Sequence, residues 1–238
     1  MTTRWEDLAP GVVRRRLPGW DETVGAVAGA GGLLLVDAGP SLPAGAEIAA
    51  ELRERFGLPV TRLVLTHPHF DHVLGAGAFP AAEHFGRLPA GGPAEAAADG
   101  VRQGLDAGLA GAAADALAGL APPREVRGRL TLDLGGGRTA VLAVLGPAHS
   151  PYDLAVVVRV PGAVPVVFCG DLVEESGEPQ AGPDAEPARW PAALDQLLAL
   201  GGQDARYVPG HGAVVDAAFV QAQRAALAGR FGVAPGAP

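Results

Sequence analysis

The stretch His67–His72, which reads His-Pro-His-Phe-Asp-His, is the part of the chain best suited to chemistry. It places three imidazoles and one carboxylate within six residues. Imidazole nitrogens and carboxylate oxygens are ligands that catalytic zinc prefers, and iron or manganese also accepts them. Burying such a cluster is costly unless something compensates its polar atoms. The stretch therefore predicts a metal site.

Three further candidate ligands follow predicted strands. His149 lies in the segment Ala-His-Ser-Pro-Tyr-Asp, Asp171 closes Val-Phe-Cys-Gly-Asp, and His211 lies in Pro-Gly-His-Gly. Glycine and proline flank these positions, so the backbone can turn each side chain away from its strand. Because binding residues are often carried by loops at strand ends, we expect these ligands and the 67–72 stretch to meet at one rim of the fold.

Apolar runs separated by glycine and proline predict a strand-rich first half and a second half of strands followed by helices. A helix with one apolar face is predicted from a Ser41 cap to about Phe56. The second half predicts a helix marked by Trp190 and a last helix capped by Asp216. The predicted strands are Gly11–Arg16, Thr23–Ala28, Gly32–Asp37, Val60–Thr66, Arg124–Leu134, Arg138–Leu145, Leu154–Val160 and Val164–Gly170.

This order predicts one domain over residues 1–238, built of two similar halves packed sheet on sheet with helices outside. A helical insertion is predicted around residues 84–123, where the composition shifts to alanine and glycine. Within it, Pro93–Leu120 looks helical, although its internal glycines weaken the helix. The insertion is either a cover over the site or a plain helical connection.

Composition narrows the partners and the location. The net charge of −8 argues against a nucleic-acid partner. The chain contains no lysine, which excludes covalent chemistry on a lysine side chain. No apolar run is long enough to cross a membrane, and no export signal is visible. A single cysteine permits no internal disulfide. We therefore expect a cytoplasmic protein with a small-molecule substrate.

The pattern His67-x-His69-x-Asp71-His72, followed in order by His149, Asp171 and His211, resembles the metallo-β-lactamase superfamily. The resemblance runs from the strand that ends at Asp37 to the loop of His211. It implies an α/β (α+β) fold, namely an αββα sandwich of two mixed β-sheets flanked by helices.

The resemblance also implies the ligand sets. His67, His69 and His149 would hold one metal, Asp71, His72 and His211 the second, and Asp171 would bridge them. The implied cofactors are two Zn²⁺ ions, with iron or manganese possible, and a hydroxide shared by the metals would attack an acyl carbonyl. In this scheme Asp71 is a ligand first and a proton carrier second.

Two more residues are candidates for supporting roles. Asp37 occupies a family position near the metals, where it would either orient a ligating imidazole or satisfy turn amides. Tyr152 stands where many relatives have glycine, and it would either offer its hydroxyl to an oxyanion or pack at the base of its loop. Asp153 is expected to act locally in the same loop.

Three residues with reactive or charged groups are expected to have ordinary roles. His84 lacks a motif and is interpreted as an ordinary surface histidine or a satisfied one, Cys169 as a core residue, and Arg189 as a solvated arginine.

The expected activity is hydrolysis of a small-molecule ester, thioester or lactone. Glyoxalase II proper is disfavoured because the stretch after His211 is too short for a separate glutathione-binding domain. Alternatives are a mononuclear-iron oxidoreductase like the persulfide dioxygenases, β-lactam hydrolysis as a main or side activity, and a metal-binding regulatory protein without turnover. A homodimer is possible.

Overall fold

In the computed structural model, which describes residues 4–233, apolar runs of the first half form a six-stranded mixed sheet. The strands lie in chain order, antiparallel from β1 to β4 and parallel from β4 to β6. Its members are β1 (Glu6–Ala9), β2 (Val12–Arg16), β3 (Thr23–Ala28), β4 (Leu33–Val36), β5 (Val60–Val64) and β6 (Glu83–Phe85).

The second half forms a five-stranded sheet in the order β11-β10-β9-β8-β7. Only β10 and β11 pair in parallel; the other neighbours in this sheet are antiparallel. The strands are β7 (Arg129–Gly135), β8 (Arg138–Val144), β9 (Leu154–Arg159), β10 (Val166–Phe168) and β11 (Arg206–Val208).

Helices cover the outer face of each sheet. Those of the first half are α1 (Leu42–Phe56), the single turn α2 (Phe70–Val73), α3 (Gly92–Arg102) and α4 (Ala107–Ala118); those of the second are α5 (Trp190–Gly201) and α6 (Ala217–Phe231). The Ser41 side chain accepts a hydrogen bond from the Ala44 amide, which confirms the predicted cap of α1. No helix among residues 4–233 is long and apolar enough to span a bilayer.

Strand β4 explains why the two sheets stack. Leu33 and Leu35 belong to the core beneath the helices of the first sheet, whereas Leu34 and Val36 belong to the core between the sheets. A strand buried on both faces is continuously apolar, as this one is. A third core lies between the second sheet and helices α5 and α6. The layers are therefore helix, sheet, sheet, helix, and the αββα sandwich of two mixed sheets is confirmed.

The 84–123 segment differs from the prediction in detail. Its helical part is two helices, because Gly104 adopts φ +99° and Asp106 begins a new helix by accepting hydrogen bonds from the amides of Gly108 and Leu109. Strand β6 has three residues, too few to carry a periodic signal, and its last residue, Phe85, forms an isolated bridge with Arg124. The strand predicted from Arg124 begins only at Arg129.

Candidate metal centre

All seven side chains predicted to bind metal meet at one end of the sandwich. Each comes from a segment that follows a strand: the β5–α2 turn and α2 itself, the β8–β9 loop and the segments after β10 and β11. They form two groups in which the potential ligand atoms lie within 4.8 Å of one another: His67, His69, His149 and Asp171 in one, and Asp71, His72 and His211 in the other.

The Asp171 carboxylate contacts both groups. Its Oδ2 atom lies 3.4 Å from Nε2 of His149 and 3.4 Å from Nε2 of His211. Its Oδ1 atom lies 3.2 Å from Nε2 of His72. A carboxylate in this position fits the bridging role that the resemblance implies.

The second ring nitrogen of each of the five histidines faces away from the centre and has a partner. Such partners fix the ring orientation and the tautomer of a metal-binding imidazole. They are Thr66 Oγ1 for His67 at 3.0 Å, Asp184 Oδ2 for His69 at 3.1 Å, Asp37 Oδ2 for His72 at 2.9 Å, the Gln180 carbonyl for His149 at 3.0 Å and the Trp20 carbonyl for His211 at 2.8 Å.

The inward-facing atoms, by contrast, are incompletely satisfied. His67 Nε2, His72 Nε2 and Asp171 Oδ1 are buried and make no well-oriented hydrogen bond among the described residues, although the last two atoms lie 3.2 Å apart. Unpaired polar atoms in an interior are costly, and a cation bound between them would satisfy them together. Five imidazoles and two carboxylates form a donor set that suits zinc and also admits iron or manganese. The residues present therefore fit divalent metal ions.

The protonation of the histidines differs across the centre. Burial lowers the pKa of His67 well below its usual value and that of His149 to about 4, so both rings are neutral, as metal ligands must be. Burial acts in the same direction on His72 and His211, but Asp171 and Asp71 outweigh it and raise both pKa values, that of His211 to about 11. Burial also acts to lower the pKa of His69, but its hydrogen bond to Asp184 and the charge of Asp171 outweigh burial and raise it. Cations that enter either group would therefore displace protons.

Asp37 makes both of the contacts considered for it. Besides His72, its carboxylate accepts hydrogen bonds from the amide and hydroxyl of Thr66, each at 2.8 Å. Tyr152 lines the cavity beside the centre, and the Arg87 guanidinium lies 4.5 Å from its ring centroid. A catalytic role for the Tyr152 hydroxyl stays a prediction.

Asp153 acts within its own loop, where it accepts hydrogen bonds from the amides of Ala148 and Ser150 and from the Ser150 hydroxyl. Burial raises the pKa of Asp153 to about 7. The interpretation of this residue as local to the loop matches these contacts.

The remaining candidates lie apart from the centre. His84 is buried with Nε2 2.9 Å from the Phe79 carbonyl, Cys169 is buried in the core, and Arg189 pairs with Glu186 at 3.0 Å. None of the three lines the cavity beside the centre.

Sequence reasoning missed Asp184 and Glu22. Asp184 lies in the Pro/Gly-rich loop 174–187, where no periodicity or motif marks one acidic residue above another. Glu22 is completely buried near Asp71, and burial raises its pKa to about 7. An acidic residue between turn and strand carries no sequence signal that distinguishes it from a solvated one.

A cavity of about 760 Å³ opens onto the centre. Helix α3, from the 84–123 segment, forms one wall, and the loop of Asp184 forms another. Aromatic and proline side chains contribute much of the lining: Trp20, Pro68, Phe70, Pro89, Pro151, Tyr152 and Pro183. The size and apolar lining suit a small organic molecule.

Comparison with known proteins identifies the class. The family model described as the metallo-beta-lactamase superfamily matches residues 17–211, so the chain belongs to this superfamily. Among curated relatives, hydroxyacylglutathione hydrolase from Cupriavidus taiwanensis is 31% identical over 158 residues, which is 65% of this chain and 53% of that protein. The matched segment thus spans about half of that relative.

Solved structures agree on the fold. The metallo-beta-lactamase FIM-1 from Pseudomonas aeruginosa, in a mono-zinc form, has a TM-score of 0.70 at 19% identity, with 98% of both chains covered. A metallo-beta-lactamase from Hirschia baltica has a TM-score of 0.67 at 18% identity, covering 94% of this chain and 97% of that one. The superfamily match and the two ligand groups together indicate a member of the metallo-beta-lactamase superfamily with residues suited to divalent metal ions.

Proposed function

We propose that this protein is a hydrolase that binds two divalent cations, with zinc preferred, and cleaves a small-molecule ester, thioester or lactone. The position of Asp171 between two ligand groups carries the proposal, because one carboxylate can serve two cations only from such a place. When bound, the cations would supply an activated water near neutral pH and polarise the acyl oxygen.

The chain's own groups hold this arrangement rigid. The outward partners of the five histidines fix their rings before a cation arrives. Asp71 has its Oδ2 atom 3.3 Å from Nε2 of His211 and also lines the cavity. We expect Asp71 to act first as a ligand and second as the carboxylate that takes a proton from the reacting groups.

The cavity would bind the substrate beside the ligand groups. Trp20 and Phe70 pack edge to face, with ring centroids 5.2 Å apart, and form an apolar wall for an acyl chain or leaving group. Tyr152 lies on the cavity wall, and we expect its hydroxyl to donate a hydrogen bond to the developing oxyanion.

The charges of the lining favour a neutral or cationic substrate. Arg102 is the one arginine in the lining, and it pairs with Asp99 at 3.0 Å. Carboxylates outnumber it: Glu95, Asp99, Glu174, Glu178 and Asp184. An anionic group that lies in the cavity away from the cations would meet this field without a free cationic side chain in the lining. Glutathione thioesters and cephalosporins carry carboxylates, so we expect them to be poor substrates.

Hydrolysis of matched substrates by zinc-loaded protein tests the proposal. We expect turnover of a neutral thioester, ester or lactone, and slower turnover of a glutathione thioester with the same acyl group and of a cephalosporin. A chelator should abolish the activity and zinc should restore it. Absence of hydrolysis across the panel, with oxygen uptake on a thiol persulfide by an iron-loaded chain, would replace this proposal with the oxidoreductase alternative.

A further inference from the structure

Glu22 is a buried acidic residue whose carboxyl group is not satisfied by hydrogen bonds. The residue is 0% exposed, and neither carboxyl oxygen has a hydrogen-bond partner among the described residues. An unpaired carboxylate in an interior is one of the most costly groups a fold can retain. Folding alone would favour an apolar side chain here, so the carboxylate calls for another explanation.

The location of Glu22 beside the second ligand group explains why a carboxylate is found here. Its backbone forms an isolated antiparallel bridge with His211, and the neighbouring Thr23 amide donates to the Gly210 carbonyl at 2.7 Å. The side chains whose charges act on the Glu22 carboxyl include Asp71, His72 and His211. These three are the second ligand group, and Glu22 itself lies outside both groups. The Glu22 backbone is therefore joined to the segment of His211, and the Glu22 carboxyl lies within electrostatic range of the second ligand group.

We propose that Glu22 is a positioning residue for the Asp71–His72–His211 group, where its buried carboxyl, ionised when a cation is bound, supplies a negative charge that favours binding of a divalent cation. The inference rests on the two-cation centre proposed above and adds a determinant that does not touch the cation. Because Glu22 is fully buried, the attraction between its carboxylate and a nearby cation is screened less than at a surface. The cation in turn supplies the compensation that hydrogen bonds do not.

This role has opposite consequences with and without metal. Without metal, the buried carboxyl of Glu22 destabilises the fold. Glu22→Gln or Glu22→Met should therefore leave the metal-free protein at least as stable as wild type. With metal, the same changes should weaken the second cation by roughly tenfold to hundredfold, the range typical of residues that support metal ligands. Glu22→Asp keeps the charge and should retain most of the affinity.

Thr23→Val is the matched control. The Thr23 hydroxyl is buried and also lacks a hydrogen-bond partner among the described residues, but it carries no charge. Removing it should change the packing of the same segment while leaving both zinc affinities at their wild-type values.

The experiment titrates the metal-free wild type and the four variants with Zn²⁺ against a chelating dye, and measures Tm with and without zinc. The inference is supported if Glu22→Gln and Glu22→Met selectively lose the second zinc. It also requires that Thr23→Val binds zinc like wild type and that Glu22→Asp retains most of the affinity. Wild-type affinities in Glu22→Gln and Glu22→Met would overturn it, as would unfolding of both variants without zinc. If wild type itself bound no second cation, the proposed two-cation centre would be wrong. If wild type bound two cations and the Glu22 variants bound them equally well, only the role of Glu22 would be wrong.

Discussion

The Nδ1 atom of His72 lies 2.9 Å from Oδ2 of Asp37, and both side chains are buried. Asp37 follows strand β4 with φ 59°, a left-handed conformation that non-glycine residues adopt rarely. Its carboxylate also accepts from the Thr66 amide and hydroxyl just before the ligand stretch. One aspartate thus joins the end of β4 to the turn that carries the metal ligands.

Replacing Asp37 with Asn should weaken metal binding. The amide cannot accept from His72 and Thr66 as the carboxylate does, so the His72 ring loses its fixed orientation. We expect zinc affinity to fall by roughly tenfold to hundredfold, measured by competition with a chelating dye. Asp115→Asn, which removes an exposed carboxylate on α4, should bind zinc like wild type. Equal affinities in the two variants would contradict an orienting role for Asp37.

Gly210→Ala tests whether the centre depends on backbone close to Asp171. A Cβ atom at Gly210 would overlap the Asp171 Oδ1 atom and would lie 2.9 Å from the Gly170 carbonyl carbon, so Asp171 must move. Zinc content measured by mass spectrometry should fall, with affinity lower by roughly tenfold. Gly229→Ala, on α6 with open space around it, should bind zinc normally and gain up to about 1 kcal/mol of stability.

The sequence predicted more of the site than of its surroundings. His67 to His72, His149, Asp171 and His211 follow strands and are flanked by glycine or proline, which was enough to predict that they lie at one rim of the fold. The groups that hydrogen-bond the outward-facing nitrogens of the histidines could not be predicted in this way. Gln180 and Trp20 contribute backbone carbonyls, which no residue type encodes, and Thr66 contributes its side-chain hydroxyl. The sequence did not predict the short strand β6 for a related reason. This strand is defined by its hydrogen bonds to β5 and not by a pattern in its own residues.

Tyr152→Phe tests the predicted oxyanion contact. Phenylalanine keeps the ring that faces Arg87 and removes only the hydroxyl. If the hydroxyl stabilises the oxyanion, kcat for a neutral thioester should fall by about a hundredfold with little change in KM. Wild-type kcat in this variant would assign Tyr152 to the cavity wall alone.

Removing two cavity carboxylates should relax the discrimination against anions. Glu95 and Glu178 are exposed residues of the lining, and no hydrogen bond involves their carboxylates within residues 4–233. The double variant Glu95→Gln, Glu178→Gln should raise kcat/KM for a glutathione thioester by about fivefold at low salt, and less at high salt. Glu54→Gln with Asp115→Asn removes two exposed carboxylates outside the lining and should leave the ratio of anionic to neutral substrate unchanged.

The most direct test measures metal content and thioester hydrolysis on the same preparations of wild type and Asp171→Ala. The two-cation account predicts about two zinc ions per wild-type chain, turnover that a chelator removes and zinc restores, and loss of both metal and turnover in the variant. One iron per chain with no hydrolysis, or an Asp171→Ala variant that kept its metal and its turnover, would contradict the account.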